Sequence, residues 1–463
     1  MKILMFGWEF PPYMSGGLGT ACLGITQALA EEQVEIIFVM PGSQIPDDEQ
    51  FIRFIGPDIL RSEETSSSRK GRDPFLKRIT VNSPLTPYLN ARTYRIPAET
   101  AGSPFTSYED DLFAEIDRYG HMAGRIAAGE TFDVIHSHDW MTVMAARQAR
   151  EISGKGWIFH VHSLEYDRSG EAVNPEILQM EQTGLEEADH IIAVSDYTKQ
   201  RIIRYYGISP DKITVIHNGV IWQNELFENK TPLSYDYDAA PEEQPEKQQA
   251  EPLREEGKTP IPYGAEQEHE PRRSKTSVPL RTSGKNVLFL GRITFQKGPD
   301  YFVEAAAEVL KHVPDASFYI AGVGDMAPAM VERVAELGIG KNVHFTGFLQ
   351  GEEIEEIFRM SDVYVLPSVS EPFGISPLEA IQHGVPVILS RQSGVSEIIR
   401  HCFLVDFWNI HDMADKIIAL LCRKALAEEM RANAKEELSK ITWQSAAEKI
   451  RSLYEQTIHR EGA

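Results

Sequence analysis

The feature that most constrains this chain's fold is a repeated alternation. Short apolar runs break into polar or glycine-tipped ends, and a helical stretch follows each. Residues 2–7, 35–40, 132–140, 157–163, 190–195 and 213–219 form one series, and 286–291, 317–325, 343–349, 362–367 and 384–390 form a second. Apolar runs of this length without strict alternation read as strands buried on both faces of a parallel sheet. Alternated with helices, they predict an α/β architecture of doubly wound sheets. Two series predict two domains, as does a length of 463 residues, which exceeds one ordinary core.

Between the series the pattern stops. Residues 223–285 are rich in Pro, Glu and Gln, poor in aliphatic side chains, acidic up to Glu270 and basic through Arg272, Arg273 and Lys275. Such a stretch cannot bury enough apolar surface to offset its ordering entropy, so a disordered linker insert is expected there. The division that follows is 1–222 for the first domain, 223–285 for the insert and 286–440 for the second domain, with a last helix over about 441–463. Residues 43–107 are polar and irregular and are read as a surface excursion.

The formal net charge of −23 disfavours nucleic acid as a partner, because a phosphate backbone needs a basic face. The three cysteines, Cys22, Cys402 and Cys422, show neither metal-ligand spacing nor a paired framework, which points to a reducing compartment. The opening apolar run ends at Glu9 and Pro11, too short for a signal peptide, and no run is long enough to span a bilayer. A soluble cytoplasmic protein is the expectation.

The candidate chemistry sits at strand exits, where ligands bind in open parallel sheets. The stretch from Ser370 to Ala380 places Glu371 in a loop broken by Pro372 and Gly374, and Glu379 in the first turn of the next helix. Ser376 with Pro377 behind it reads as an N-cap and an N1 proline, and Ser376 with Glu379 also reads as a capping box. The helix dipole is expected to keep Glu379 ionised. Arg292 and Lys297 lie on a glycine-flanked loop that leads into a helix starting at Pro299, a setting suited to a diphosphate. Gly16 and Gly17 stand at a helix entrance, where backbone N–H groups can approach phosphate, although a Gly-Gly pair alone also makes a plain tight turn. Two strand exits carry histidines: His136 and His138 followed by Asp139 and Trp140, and His160 and His162 followed by Ser163. The His160/His162 pair is expected to alternate in and out along its strand, so that only His162, nearer the strand end, faces a cleft.

Taken in order, these motifs resemble the retaining glycosyltransferases of the GT-B class. They are a Gly-Gly loop after the first strand, His138-Asp139-Trp140, Val161-His162-Ser163, Asn218-Gly219-Val220, Gly291-Arg292 with Lys297-Gly298, and Glu371-Pro372-Phe373-Gly374 with Glu379. The likeness covers both ordered halves and is nearest to the glycogen/starch-synthase and sucrose-synthase-like branch of the GT4 type. It implies two Rossmann-like domains facing across a cleft, with the last helix crossing back to the first. It also implies a UDP-, ADP- or GDP-sugar donor, a carbohydrate acceptor such as a glucan, and neither metal nor other cofactor. By resemblance, Arg292 and Lys297 would neutralise the leaving diphosphate, Glu371 would hold donor-sugar hydroxyls and Glu379 the ribose. His162 would lie near the anomeric carbon and Asp139 near the acceptor. Gly16, Gly17, Asn218, Gly374 and Ile375 would line the donor site. Two departures, Met14 before the Gly-Gly pair and Ile221 after Asn-Gly-Val, leave sugar and acceptor open.

Overall fold

The computed structural model describes residues 1–10, 17–42, 53–55, 76–82, 108–220 and 285–461. Gly16 and the expected linker insert, up to Gly284, lie outside the described residues.

Two sheets carry the structure. The first is built from β1 (Lys2–Phe6), β2 (Glu35–Gly42), β3 (Arg53–Ile55), β4 (Leu76–Asn82), β5 (Val134–His138), β6 (Trp157–Val161), β7 (His190–Ala193) and β8 (Ile213–Val215). Their spatial order is β3-β4-β2-β1-β5-β6-β7-β8, parallel throughout except for β3 against β4. The second contains β9 (Lys285–Leu290), β10 (Ala316–Ala321), β11 (Val343–Gly347), β12 (Val363–Leu366), β13 (Val387–Ser390) and β14 (Phe403–Val405). Its order is β11-β10-β9-β12-β13-β14, all parallel. Both orders reverse direction once, between β1 and β5 and between β9 and β12. These reversals open the crevices where doubly wound sheets hold ligands.

The strand cores are dry, as their composition requires. Ile3 to Phe6, Ile36 to Val39, Ile191 to Ala193 and Val287 to Phe289 are all buried. The expected surface excursion is wrong in part. Residues 76–82 pair in parallel with β2, and residues 53–55 add an antiparallel edge. Leu76, Ile79 and Val81 share that strand with Lys77, Arg78, Thr80 and Asn82, so the segment has no apolar block to announce it. The short β14 is also unmarked in the sequence.

The last helix, Trp443–Glu461, packs on the first sheet's side of the molecule. Trp443 lies over Gly24 of the helix Gly17–Glu31, where an added Cβ would come within 2.2 Å of the indole. Arg451 pairs with Glu32, and the Tyr454 hydroxyl lies 2.5 Å from His136 Nδ1. The two sheets and their helices belong to one compact unit. Among the described residues no helix is long and apolar enough to cross a membrane.

Candidate active site

The crevice of the second sheet is lined by the loops after β9 and β12. After β9 the chain makes a short turn, Phe295–Lys297, that ends on Gly298. Gly298 has φ +63°, and an added Cβ would stand 2.3 Å from the Pro367 carbonyl oxygen, so only glycine lets this turn close on the β12 loop. Lys297 Nζ meets Glu371 Oε2 at 2.5 Å, and Ser368 Oγ donates to the same oxygen at 3.1 Å. Arg292 donates to Gln296 Oε1, while the Gln296 carbonyl accepts the Val369 N–H at 2.9 Å. Glu371 is itself pinned at the backbone: its N–H donates to Gln392, and its carbonyl accepts from Gly394. The structure therefore brings Arg292, Lys297 and Glu371 onto one interlocked pair of loops. Gly374 abuts the Glu371 side chain, and Ile375 reaches across to Gly17, its Cδ1 3.6 Å from where a Cβ would stand.

Two local expectations are corrected. Ser376 is not the N-cap: the helix Ser376–Gln382 starts on it, Ile375 before it is already helical, and Ser376 Oγ bonds the Tyr364 hydroxyl at 2.9 Å. The capping box therefore does not form. Nor does the helix dipole keep Glu379 firmly ionised, because burial pushes its pKa up to about 7. A seven-residue helix offers too little to offset that desolvation.

The crevice of the first sheet holds the histidines. His160 and His162 do not split between faces. Residues two apart in a strand share a face, and β6 pairs with β5 so that His138 stands opposite His160. All four rings, from His136, His138, His160 and His162, consequently gather on one side. His136 Nε2 lies 3.3 Å from His160 Nδ1, and His138 Nδ1 lies 2.9 Å from His162 Nε2. His136 stacks on His138 at 4.4 Å between ring centres, and His160 on His162 at 4.2 Å. Burial lowers the pKa of all four, that of His138 to about 3, so they are neutral imidazoles at neutral pH.

Asp139 follows with φ +57°, a strained conformation for a non-glycine residue. Its Oδ1 accepts the N–H groups of His162 at 2.6 Å and Ser163 at 3.2 Å, tying the β5 exit to the turn that carries His162. Burial raises its pKa to about 7 against those bonds and the Arg168 charge. Asn218 is buried beside Gly219, whose α-carbon faces the Trp443 backbone. Among the described residues, no hydrogen bond links Asn218 to the Lys297–Glu371 pair.

Several contacts at the candidate site escaped the sequence reading because they join the two halves. Ser370 Oγ donates to Asp167 Oδ1 at 2.6 Å and lies 3.0 Å from the Tyr197 hydroxyl. Ser195 Oγ donates to the Pro372 carbonyl. Glu397 accepts the Asp196 and Tyr197 N–H groups at the start of the helix Asp196–Tyr206, and bonds His217 at 2.8 Å. Thus the first half holds the Glu371 loop on both sides of Glu371. The polar strand tips at Ser195 and His217 hinted at this. Glu9, fully buried, was also missed: its carboxylate accepts the Gly19 N–H at 2.8 Å at the helix entrance where the phosphate-binding glycines were expected.

As for metal, His136, His138 and His160 can bring one ring nitrogen each to within 4.8 Å of the others, and no carboxylate or thiol joins that group among the described residues. The facing nitrogens of His136 and His160 are already turned on each other.

A family model described as Glycosyltransferase Family 4 matches residues 15–221, and one described as Glycosyl transferases group 1 matches residues 272–437. An uncharacterised glycosyltransferase of Methanocaldococcus jannaschii is 26% identical over 462 residues, 98% of each chain. The glycogen synthase of Mycobacterium tuberculosis is 23% identical over 98% of this chain and 94% of its own. Among solved structures, the sucrose-phosphate synthase of Thermosynechococcus elongatus superposes with a TM-score of 0.67 at 18% identity, covering 99% of both chains. The Anabaena protein HepE, in complex with UDP and glucose, does so with 0.63 at 15% identity, over 98% of this chain and 100% of its own. With both halves matched and two Rossmann-like sheets in the GT-B arrangement, the chain belongs to the GT4-type glycosyltransferases.

Proposed function

We propose that the protein moves a hexosyl unit, glucosyl as first choice, from a nucleotide-diphosphate sugar to a carbohydrate acceptor, with retention of anomeric configuration and without a metal ion. The observation that carries this reading is the Lys297–Glu371 pair at the second crevice, with Arg292 on the same turn. Lys297 and Glu371 neutralise each other's charge in this ion pair. With donor bound, Lys297 and Arg292 would turn to the diphosphate, and Glu371 to the sugar hydroxyls. The C1–O bond to phosphate breaks and its electron pair leaves with the diphosphate. The acceptor oxygen bonds C1 on the same face, and its proton passes to the departing phosphate oxygen. Fixed cations at the leaving group and a carboxylate near the cationic sugar are where charge develops, which is where preorganised charge lowers a barrier. Glu379 would bind the ribose, and Gly17 with Ile375 would close over the donor. A UDP-sugar donor is supported by the UDP and glucose found with HepE, and a glucan acceptor by the glycogen-synthase relative. All three cysteines are free thiols, in keeping with the cytoplasm.

The test is a matrix of UDP-, ADP- and GDP-sugars against glucan, sugar-phosphate and simple sugar acceptors, read as released nucleotide. Product anomers are assigned by NMR, and each reaction is repeated after chelation. Nucleotide release only with acceptor present, an unchanged anomer and insensitivity to chelator are expected. An inverted product, or turnover abolished by chelation and restored by a divalent cation, would overturn the corresponding part.

A further inference from the structure

The histidine cluster holds a detail that the proposed roles do not use. His138 is completely buried and bonds His162 through Nδ1, while its other nitrogen, Nε2, is buried with no partner among the described residues. A neutral imidazole carries one proton, and the nitrogen that keeps it is set by what the other one bonds. If the proton sat on Nε2, His138 would bury an unpaired N–H, among the rarest defects in folded proteins. If it sits on Nδ1, the orphan is a bare lone pair. The Nδ1 proton then forms the bond to His162. The ring cannot turn over to improve this, because His136 stacks on it at 4.4 Å, and His136 is in turn held by the Tyr454 hydroxyl of the last helix.

We propose that His138 is a positioning residue that fixes the tautomer of His162: by donating from Nδ1 it keeps His162 Nε2 bare and puts the His162 proton on Nδ1, making His162 a neutral hydrogen-bond donor. The chemical use is specific. A donor of this kind can fix a hydroxyl oxygen of the donor sugar without adding a positive charge beside a carbon that is itself becoming cationic. A protonated imidazole in that place would oppose the reaction. Depressed basicity of the whole cluster serves the same end. Asp139 completes the arrangement by holding the His162 backbone N–H, so ring and main chain are fixed from the same strand exit. The functional half of this inference rests on the proposed placement of His162 by the sugar; the tautomer does not.

The test uses the full chain labelled with 15N-histidine. Long-range proton–nitrogen spectra report which ring nitrogen carries hydrogen, and the His162 signals are identified by their loss in His162→Gln. In the parent, His162 should show a protonated Nδ1 and a bare Nε2. His138→Asn, whose side-chain amide stands near the lost Nδ1 and can still donate, should keep that pattern and hold kcat within about threefold. His138→Phe, which keeps ring stacking but not the donor, should show mixed His162 tautomers. Its kcat should fall about tenfold with a smaller change in donor KM, as expected for one misplaced polar contact to the reacting sugar. A parent His162 protonated on Nε2 would overturn the proposal outright, whatever the variants do. So would a folded His138→Phe with the parental tautomer. An altered tautomer with parental kcat would leave the assignment of His138 standing and remove His162 from the reaction.

Discussion

Lys297 and Glu371 are 74 residues apart in the chain and 2.5 Å apart in space, joined because β9 and β12 are neighbours at the point where the second sheet reverses its strand order. The loops that follow these strands share one edge. A lysine from one and a glutamate from the other, both largely shielded from water, form an ion pair across the two loops. Truncating either partner leaves the other charge without its mate.

Glu371→Gln should therefore lower kcat at saturating donor on the order of a hundredfold, the worth of a preorganised electrostatic contact. It should also cost about 1–3 kcal/mol of stability, because Lys297 loses its charged acceptor in a poorly solvated place. Lys297→Met should do the same. The double variant should lose less than the sum of the two, since the members act as a unit. A well-folded Glu371→Gln enzyme with parental turnover would refute the placement of the reacting centre.

Glu379 gives a pH dependence of defined sign. Its folded-state pKa is raised from 4.5 to about 7, so across that window the folded protein keeps a proton that the unfolded chain has lost. Stability is then full below the unfolded pKa and declines as pH rises towards 7. Asp139, raised from 3.8 to about 7, acts in the same direction. Glu379→Gln should melt less steeply with rising pH than the parent does. If the ionised carboxylate accepts ribose hydroxyls, the ratio of donor KM between variant and parent should climb through pH 7, reaching about tenfold, with kcat little changed. A ratio that stays flat from acid to alkaline pH would remove Glu379 from the donor site.

Contacts between the two halves flank the crevice. Glu397 accepts two N–H groups at a helix start in the first half and bonds His217, which together outweigh burial and lower its pKa. Glu397→Ala should shift the protein towards an open form, seen as a larger radius of gyration by X-ray scattering and a donor KM raised several-fold. Saturating donor should restore compactness. Identical scattering from parent and variant, with and without donor, would show that this clamp does not govern closure.

Gly298→Ala tests the backbone rather than a charge. Its φ of +63° and the Pro367 carbonyl 2.3 Å from the missing Cβ leave a methyl group no room. The strained conformation alone costs about 1–2 kcal/mol, and the clash adds to it. Chemical denaturation should show that loss, and kcat should fall because the turn carrying Lys297 must move. Gly154→Ala, equally left-handed at φ +69° but facing open space, should lose only the conformational part and keep activity.

Much of this protein was readable in its residues. Buried parallel strands have to be apolar on both faces, so 2–7, 157–163 and 286–291 announced themselves, and their glycine, histidine and basic tips marked the edge where a ligand is expected. The candidate residues were visible for the same reason: Arg292, Lys297, Glu371 and His162 are polar groups in places where packing would have chosen otherwise. What stayed hidden was decided by partners distant in sequence. The strand at 76–82 mixes polar and apolar residues, and only pairing with β2 makes it a strand. Ser376 had an N-cap's composition, but the Tyr364 hydroxyl competes for its side chain and the helix begins on it. Glu379 looked like a carboxylate stabilised by a helix, whereas tertiary burial pushes it towards the protonated form. The four histidines could be counted in the sequence, but the β5–β6 register alone placed them on one face and bonded His138 to His162. Local sequence sets strand, loop and helix because those depend on neighbours a few residues away. Protonation, ion pairing and side-chain direction depend on whatever the fold brings alongside, and that is settled only when the two sheets and the last helix have come together.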